Sequence, residues 1–455
     1  MFEVSELVKA TAGSLIRGRP ASKVKGICID SRALRRGEAF LAIKGEKFDG
    51  HLFINEALKK GASCIIASRP SAYDLRLATY AAPFIRVNDT IKALGDIAAF
   101  HRGRFSLPVI AVTGSNGKTT AKEMIAAVLS RRHKVLKNPG TRNNHIGLPQ
   151  ALLQLDASCG CAVVELGTNH FGEIDYLARI CRPNIAVITN IGPSHLEHFK
   201  DLRGVLREKS SLLGHLSAPR IGVVNADDPL LREMVYQNSP CRFIVGYGIK
   251  EKSDFFAWAI KARGRSINFR LWEYPYRLNA LGYFNIYNAM AAIALGRIFG
   301  LGHGEIARAL AGFSQPQGRL EFSLQGRISF INDTYNSNPF SLAQALQALK
   351  DFPGKGRKIF VMGDMLELGD SSEALHRRAA QEIAGACDIF IAAGRLSRFT
   401  AEELRRLGMA QDRVFCCADS RQAREFLWRK ASVRPRDIVL VKGSRAMRME
   451  EVLKK

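Results

Sequence analysis

Short apolar runs separated by longer amphipathic stretches dominate the chain from residue 106 onward. The first of them are "VIAVTG", "CAVVELG", "IAVITNIG" and "IGVVNADD". Runs that are apolar throughout, rather than alternating, are typical of strands covered on both faces of a parallel sheet. The stretches between them have helical spacing, so the pattern predicts an α/β fold with doubly wound parallel sheets.

The same pattern returns after residue 317, whereas the first hundred residues carry shorter elements. The later runs are "RISFINDTYN", "RKIFVMGDM", "DIFIAAG" and "DIVLVKGS". Near the start, alternation in "GEAFLAIKG" predicts a strand, "HLFINEALKKGA" a helix and "SCIIAS" a short buried strand. Because 455 residues exceed the size of a single core, we expect three domains: 1–105, 106–317 and 318–455.

Composition indicates a globular protein, with 47% hydrophobic and 24% charged residues. No run is as long as a membrane span, and the N-terminal residues lack the apolar core of a signal peptide. The nine cysteines lack the spacing of zinc or redox pairs. We therefore expect a cytoplasmic protein with reduced thiols and no membrane insertion, and a monomer is the default.

The formal net charge of +25 admits nucleic acid, an acidic membrane surface or a polyanionic small substrate as a partner. The basic residues are dispersed, and no motif interleaves them with aromatic stacking residues. This favours a generally cationic surface over a dedicated nucleic-acid face.

The clearest chemical motif is "TGSNGKTT", which follows an apolar run and precedes a helical pattern. The usual phosphate-binding loop has a glycine six residues before its lysine, where this chain has Val112. The remaining features predict a nucleotide triphosphate site, since glycines admit phosphate, lysine supplies charge and threonine can bind Mg²⁺. The predicted phosphate-binding residues are Gly114, Ser115, Asn116, Gly117, Lys118, Thr119 and Thr120.

Polar side chains stand at the ends of the next apolar runs, where ligands gather in an open parallel sheet. Glu165 is a candidate Mg²⁺ ligand, and His195 is a candidate metal ligand or phosphate donor. Asp227 ends a further run. Lys209, in "LREKSSLL", is harder to interpret, because a helical lysine near a metal would ordinarily face solvent.

These motifs, taken in order along the chain, resemble those of the Mur ligases. The segments that carry the resemblance are "DSRALRRGEAFLAIKGEKFDGHLF", "TGSNGKTT", "ELGTNHFGEI", "TNIGPSHLEHF", "GYFNIYNAMAAIAL", "GRLE", "DTYNSNPFSL", "VMGDMLELG" and "VLVKGSRAMRMEEV". The glycine-poor loop is itself a mark of this family. The resemblance implies a central parallel-sheet ATPase, an N-terminal α/β domain that binds a uridine nucleotide, and a C-terminal Rossmann-like domain.

The resemblance also implies a reaction. ATP phosphorylates the terminal carboxylate of a UDP-N-acetylmuramoyl-tripeptide, and the amine of D-alanyl-D-alanine then displaces phosphate from the acyl phosphate. By this resemblance Lys118 contacts the β- and γ-phosphates, Thr119 and Glu165 hold one Mg²⁺, and His195 lies by a second. Lys209 matches a lysine carbamylated by CO₂, although the family's usual Lys-Gly-Glu is here Lys-Ser-Ser.

The remaining site residues also follow from the resemblance. Asn285 and Asn288 match a segment that approaches adenine, with Phe284 in place of the usual histidine. Residues on the C-terminal side that would close on the nucleotide are Arg319, Asp333 for the ribose and Tyr335 for the base. Those implied for the other substrates are Asp30, Ser31 and Arg32 for uridine, Asn143 and Asn144 for the muramoyl part, and Asn336, Asn338, Ser444 and Arg445 for the dipeptide.

Two alternatives stay open. Another Mur-type ligase would add a single amino acid, but the branch that adds a diamino acid carries "YAHTPDAL" where this chain has "YNSNPFSL". A nucleic-acid-dependent ATPase is suggested by the net charge, and "VVNADDP" is its best candidate for the acidic strand end that such enzymes need. We expect no nucleic-acid partner.

Overall fold

The computed structural model describes residues 1–45, 48–69, 82–238, 241–430 and 433–454. Within them the chain forms three large sheets of five, nine and six strands, which we call the N-terminal, central and C-terminal sheets, and a two-stranded ribbon. The proposed boundaries at residues 105 and 317 fall in segments between these sheets.

The N-terminal sheet has the order β2-β7-β6-β5-β4, with β2 antiparallel to its neighbour and the others parallel. Its part of the chain contains β1 (Phe2–Glu3), α1 (Val4–Thr11), β2 (Ser14–Arg17), β3 (Lys23–Val24), β4 (Ile27–Cys28), β5 (Ala39–Leu41), α2 (Ile54–Lys59), β6 (Cys64–Ala67), β7 (Phe84–Arg86) and α3 (Thr90–Arg102). Strand β5 is buried on both faces rather than alternating, because it lies inside the sheet between β4 and β6. The strand predicted for "GEAFLAIKG" is therefore present, although its residues are buried on both faces instead of alternating.

The central sheet has the order β16-β15-β14-β13-β12-β11-β8-β10-β9. Its strands are β8 (Val109–Thr113), β9 (Val135–Lys137), β10 (Cys161–Glu165), β11 (Ile185–Ile188), β12 (Ile221–Asn225), β13 (Phe243–Gly248), β14 (Phe255–Arg263), β15 (Ser266–Leu271) and β16 (Tyr274–Leu278). Its helices are α4 (Lys118–Leu129), α5 (Gly147–Leu152), α6 (Glu173–Cys181), α7 (Leu196–Phe199), α8 (Leu202–Gly214), α9 (Pro229–Asn238), α10 (Asn285–Ile298) and α11 (His303–Ala311).

Strands β8 to β14 are parallel, as the apolar runs predict, and they are buried on both faces near the sheet centre. Val112 packs into the cluster on one face, while Ala111 belongs to the cluster on the other. Because β10 and β11 flank β8, the loops that leave these three strands meet at one edge. The nucleotide motif follows β8 and therefore stands at the centre of that edge.

The sequence analysis missed the antiparallel extension formed by β14, β15 and β16. Its signal was present: in "SINFRL" the buried residues Ile267, Phe269 and Leu271 alternate with exposed Asn268 and Arg270. Such period-two alternation belongs to a sheet with one solvated face.

The C-terminal sheet has the order β17-β18-β22-β19-β20-β21, in which only β17 is antiparallel to its neighbour. Its elements are β17 (Glu321–Gln325), β18 (Ile328–Asp333), α12 (Pro339–Asp351), β19 (Lys358–Gly363), α13 (Ser372–Ile383), β20 (Ile389–Ala393), α14 (Ser397–Arg406), β21 (Val414–Cys417), α15 (Ser420–Glu425) and β22 (Ile438–Lys442). The carboxyl ends of β18, β19 and β22 carry the polar segments that face the central domain.

Candidate active site

The loop after β8 requires its two glycines. Gly114 has φ +143° and Gly117 has φ +81°, both in the region that side chains disfavour. A Cβ on Gly114 would lie 2.0 Å from Thr189 Oγ1, and one on Gly117 would lie 2.7 Å from Asn288 Oδ1. The loop is therefore fixed by close backbone approach, although Val112 stands where the common motif has glycine.

Lys118 is the first residue of α4, and its ammonium folds back over the loop. Its Nζ donates to the carbonyl oxygens of Gly114 at 2.7 Å and Ser115 at 3.2 Å. Burial lowers the pKa of Lys118 to about 8, and the Glu165 carboxylate only partly opposes this. A bound polyanion would supply the missing countercharge, so the site favours an anionic ligand.

Two buried oxygens near this loop lack hydrogen-bond partners among the described residues: Thr119 Oγ1 and Glu165 Oε2. The other carboxylate oxygen, Glu165 Oε1, accepts from Asn143 Nδ2 at 2.6 Å. Oxygens left without donors suit a hard divalent cation. The described residues hold no group of three or more His, Cys, Asp or Glu side chains arranged for a metal, so phosphate and water would complete the coordination.

Lys209 lies in α8 with 1% of its surface exposed. Burial lowers its pKa well below the ordinary value, and Lys118 adds repulsion that Glu208 opposes. Glu208 is committed elsewhere, because its carboxylate accepts from the backbone N–H groups of Gly172 and Ile174. Within the described chain the Lys209 ammonium makes no hydrogen bond, which is unusual for a buried cation.

His195 follows β11 in a left-handed conformation, with φ +50°. Its Nδ1 lies 3.0 Å from Glu367 Oε2, so a residue of the C-terminal domain contacts the central site directly. The hydrogen bond from His195 holds the pKa of Glu367 below its ordinary value. The sequence analysis missed Glu367, although it lies in the quoted segment "VMGDMLELG".

A first cavity of about 340 Å³ opens between the start of α4 and the C-terminal domain. Arg319 lies over the Tyr335 ring at 3.8 Å, and its Nε has no hydrogen-bond partner among the described residues. Asn285 and Asn288 do not line this cavity; they lie buried behind the loop, where Asn288 Nδ2 donates to Asn285 Oδ1 at 2.8 Å. Lining residues include Thr119, Gly140, Gly318, Arg319, Tyr335 and Arg445.

Asp333, which the resemblance assigns to the ribose, already accepts hydrogen bonds from other residues of the protein. Its Oδ2 accepts from Lys442 Nζ at 2.6 Å and its Oδ1 accepts from the Leu320 N–H at 3.1 Å. The Lys442 side chain is 1% exposed, and the same Nζ donates to the carbonyl of Asn336. The pair lies beneath the first cavity and does not line it.

A second cavity of about 380 Å³ lies between the loop and the C-terminal domain. Asn338 Nδ2 donates to Asn116 Oδ1 at 3.1 Å across it, and Ser444 Oγ accepts from the Leu366 N–H. The predicted site residues that line it are Ser115, Asn116, Lys118, Asn143, Asn144, Glu165, His195, Arg319, Tyr335, Asn336, Asn338, Ser444 and Arg445. The structure thus brings the candidate dipeptide residues to one cleft with three residues of the phosphate loop and with the candidate metal ligands Glu165 and His195. Thr119 lines the first cavity instead, and Lys209 lines neither cavity.

The predicted uridine residues lie apart from this cleft. Arg32 pairs with Asp30 at 2.8 Å, and these hydrogen bonds lower the pKa of Asp30 to about 2. Ser31 is buried, and its carbonyl accepts from Lys60 Nζ. None of the three lines either cavity.

The two acidic residues after β12, Asp227 and Asp228, which a nucleic-acid-dependent ATPase would need at its nucleotide site, line neither cavity. The Asp227 carboxylate accepts from the Tyr287 hydroxyl and from backbone N–H groups of residues 249–251. Asp228 accepts from the backbone of Ile191 and Leu231. Both carboxylates therefore stabilise loops.

Comparison with known proteins identifies the family. Three family models match successive parts of the chain: the Mur ligase family catalytic domain at residues 23–102, the Mur ligase middle domain at 112–296 and the Mur ligase glutamate ligase domain at 318–445. A UDP-N-acetylmuramoyl-tripeptide–D-alanyl-D-alanine ligase of Bacillus subtilis (strain 168) is 34% identical over 99% of this chain and 96% of its own. The chain belongs to the Mur ligase family.

Solved structures agree. A crystal structure of MurF from Acinetobacter baumannii superposes with a TM-score of 0.88 at 34% identity, covering 99% of this chain and 98% of that one. MurF from Thermotoga maritima in complex with ADP gives a TM-score of 0.81 at 28% identity, with 95% and 96% covered. The resemblance to Mur ligases of the MurF type, the three-domain α/β fold and the ATP-dependent ligase class are confirmed. None of the described helices is long and apolar enough to cross a membrane.

Proposed function

We propose that this Mur ligase uses ATP to join D-alanyl-D-alanine to a UDP-N-acetylmuramoyl-tripeptide, giving the pentapeptide precursor of peptidoglycan. The observation that carries the proposal is the cleft itself. The cleft lies between the candidate phosphate loop, where the Glu165 carboxylate only partly offsets the charge of Lys118, and a polar wall on the C-terminal domain. The near full-length relatives named for this reaction support the choice of substrates.

Catalysis would depend on positioning and charge neutralisation. The terminal carboxylate of the tripeptide and the γ-phosphate repel each other, so Lys118 would neutralise the phosphates while the loop amides hold them. The resulting acyl phosphate is attacked by the dipeptide amine, and phosphate leaves. Enclosure of this cleft by the C-terminal domain would exclude water, which would otherwise hydrolyse the acyl phosphate.

We assign Mg²⁺ to the partnerless oxygens of Thr119 and Glu165, with a second ion near His195. When bound, Mg²⁺ would neutralise the charge that develops on the transferring phosphoryl group. Carbamylation of Lys209 would turn a buried cation into an anionic oxygen ligand. Its lowered pKa supports this, since only the neutral amine reacts with CO₂.

The remaining assignments follow the cleft. The adenine would lie against Tyr335 and Arg319 in the first cavity, and the dipeptide against Asn336, Asn338 and Ser444 in the second. The muramoyl part would face Asn143 and Asn144, and the uridine would bind near Asp30, Ser31 and Arg32. We propose a cytoplasmic monomer.

The test is direct. Purified enzyme is incubated with ATP, Mg²⁺, each UDP-N-acetylmuramoyl-tripeptide and a panel of dipeptides, and the products are weighed by mass spectrometry. We expect Lys118→Ala to abolish product, while Lys137→Ala, which removes a lysine paired with Glu123 outside the cleft, retains it. ATP turnover that responds to RNA but not to these substrates would overturn the proposal.

A second test addresses Lys209. Lys209→Ala is expected to abolish turnover, and small carboxylates such as acetate or formate are expected to restore part of it. Near-normal activity of the variant without added carboxylate would refute the carbamate.

A further inference from the structure

Three carboxylates line the second cavity, and two of them are committed. Glu165 accepts from Asn143 and belongs to the proposed metal site. The Glu173 carboxylate accepts from the backbone N–H groups of Asn169 and His170 at the start of α6. Glu367 differs, because 61% of its side chain is exposed and its carboxylate makes one hydrogen bond among the described residues, with His195, while His198 acts on it only through its charge. It is therefore the carboxylate of this cavity that remains open to a ligand.

The backbone of Glu367 has a strained conformation that the neighbouring contacts maintain. Its φ of +62° is left-handed, which a glutamate adopts only when the surroundings enforce it. The Leu366 N–H donates to Ser444 Oγ at 2.8 Å, and the Met365 N–H donates to His376 Nε2 at 3.0 Å. Leu368 on the other side is buried. The loop is thus fixed on both sides of Glu367, with that carboxylate at the cavity.

The position of Glu367 relative to the phosphate loop is also defined. Ser115 of the loop lies 3.2 Å, hydroxyl to hydroxyl, from Ser194. The next residue, His195, contacts Glu367. Glu367 is therefore linked to the phosphate loop through His195 and Ser194, and it lines the same cavity as Ser115 and Lys118. In the proposed reaction the acyl phosphate forms at that loop, so the attacking nitrogen must enter this cavity.

The same wall carries a cation. Arg445 lines both cavities and pairs with Glu450 at 2.9 Å, and its side chain is 61% exposed. A dipeptide is a zwitterion with an ammonium at one end and a carboxylate at the other. Because Glu367 and Arg445 line the same cavity, that cavity offers each end of the dipeptide a side chain of opposite charge.

We propose that Glu367 is a specificity-determining residue that binds the α-ammonium of the incoming dipeptide. This inference rests on the proposed function and deepens it. The Glu367 carboxylate positions the nitrogen, which attacks only after the ammonium has released one proton to water. The same carboxylate discriminates against ligands of the same shape that lack the charge. Discrimination follows because a hydroxyl can donate a hydrogen bond to the carboxylate but carries no positive charge, so the Coulombic attraction of the ion pair is lost.

The experiment compares two ligands of nearly equal shape. D-alanyl-D-alanine carries the ammonium, and D-lactyl-D-alanine carries a hydroxyl in its place. Binding of each is measured by titration calorimetry to the full-length enzyme holding a non-hydrolysable ATP analogue and the UDP-tripeptide. We expect the wild type to prefer the ammonium ligand by about tenfold. We expect Glu367→Gln, which keeps an acceptor for His195, to bind both within about twofold.

Controls separate this role from a structural one. Glu173→Gln removes a carboxylate of the same cavity and should keep the preference, and affinity for the ATP analogue should be unchanged in Glu367→Gln. If Glu367 only latches the domains together, Glu367→Gln weakens or abolishes binding of both ligands equally, and that result overturns the inference. Failure of the wild type to ligate D-alanyl-D-alanine in the mass assay would instead refute the proposed function.

Discussion

The buried pair of Asp333 and Lys442 offers a sharp test, because sequence reasoning and the structure give it different roles. The resemblance assigns Asp333 to the ribose, whereas in the structure its carboxylate accepts from Lys442 at 2.6 Å. The Lys442 side chain is 1% exposed and that of Asp333 is 12% exposed. Burial lowers the pKa of Lys442, and Asp333 opposes this shift. We therefore expect the pair to stabilise the C-terminal domain.

The size of the effect follows from desolvation. Lys442→Met keeps most of the side-chain volume but leaves Asp333 with only the Leu320 N–H as a partner, which should cost about 3–5 kcal/mol. Asp333→Asn leaves the ammonium without its countercharge and should cost about 2–4 kcal/mol. The double variant removes both charges, so its cost should fall short of the sum by at least about 2 kcal/mol.

The assay follows the fluorescence of Trp428, one of the three tryptophans of the chain. Trp258 and Trp272 are exposed in the central domain, whereas Trp428 packs against Phe330 in the C-terminal domain. In a Trp258→Phe, Trp272→Phe background, fluorescence during urea unfolding reports on the C-terminal domain alone. Additive costs in the double variant would refute the buried pair. If Asp333→Asn weakened nucleotide binding and left stability unchanged, the ribose role would stand instead.

Three further predictions concern the loop, a buried histidine and the net charge. Gly117→Ala should weaken binding of an ATP analogue more than about tenfold by calorimetry, because its Cβ would lie 2.7 Å from Asn288 Oδ1 at a φ of +81°. Gly214→Ala should leave that binding unchanged, because no atom lies within 4 Å of the Cβ that it adds. Burial lowers the pKa of His376, so as the pH falls this histidine takes up a proton in the unfolded chain before it does so in the folded protein. Stability, followed by Trp428 fluorescence, should fall as pH drops below about 6.5, by at most about 1.4 kcal/mol per pH unit, and His376→Gln should flatten that slope. Because the net charge of +25 should attract the anionic UDP substrate, kcat/KM for that substrate should decrease as the KCl concentration rises. A kcat/KM that does not change with salt would show that the net charge does not attract the substrate.

Sequence patterns predicted the parallel strands because burial on both faces leaves a continuous apolar run, as in Val109–Thr113 and Cys161–Glu165. These patterns failed where a strand is partly exposed to solvent. The extension Ser266–Leu271 alternates polar and apolar residues and was passed over in favour of the apolar runs. Strand β17, Glu321–Gln325, does not stand out because it holds only two apolar residues, of which Leu324 is exposed.

For the site, local motifs predicted the glycine-dependent geometry of one loop but not what meets that loop from another domain. Gly114, Gly117 and Lys118 lie in one stretch, so their spacing alone predicts a phosphate-binding loop. Glu367 contacts His195 only because two sheets face each other, and no local spacing encodes that contact. The hydrogen bond from Lys442 to Asp333 also depends on tertiary structure, because the two residues lie on neighbouring strands that are far apart in sequence.

Three residues of the C-terminal domain, Arg319, Tyr335 and Arg445, line both cavities. The same domain reaches the phosphate loop through Asn338 on Asn116 and reaches the edge of the central sheet through Glu367 on His195. A displacement of this domain would therefore open the nucleotide and amine sites together. Hence the arrangement that holds ATP for phosphoryl transfer also presents the amine, and the acyl phosphate would form only where its acceptor can bind.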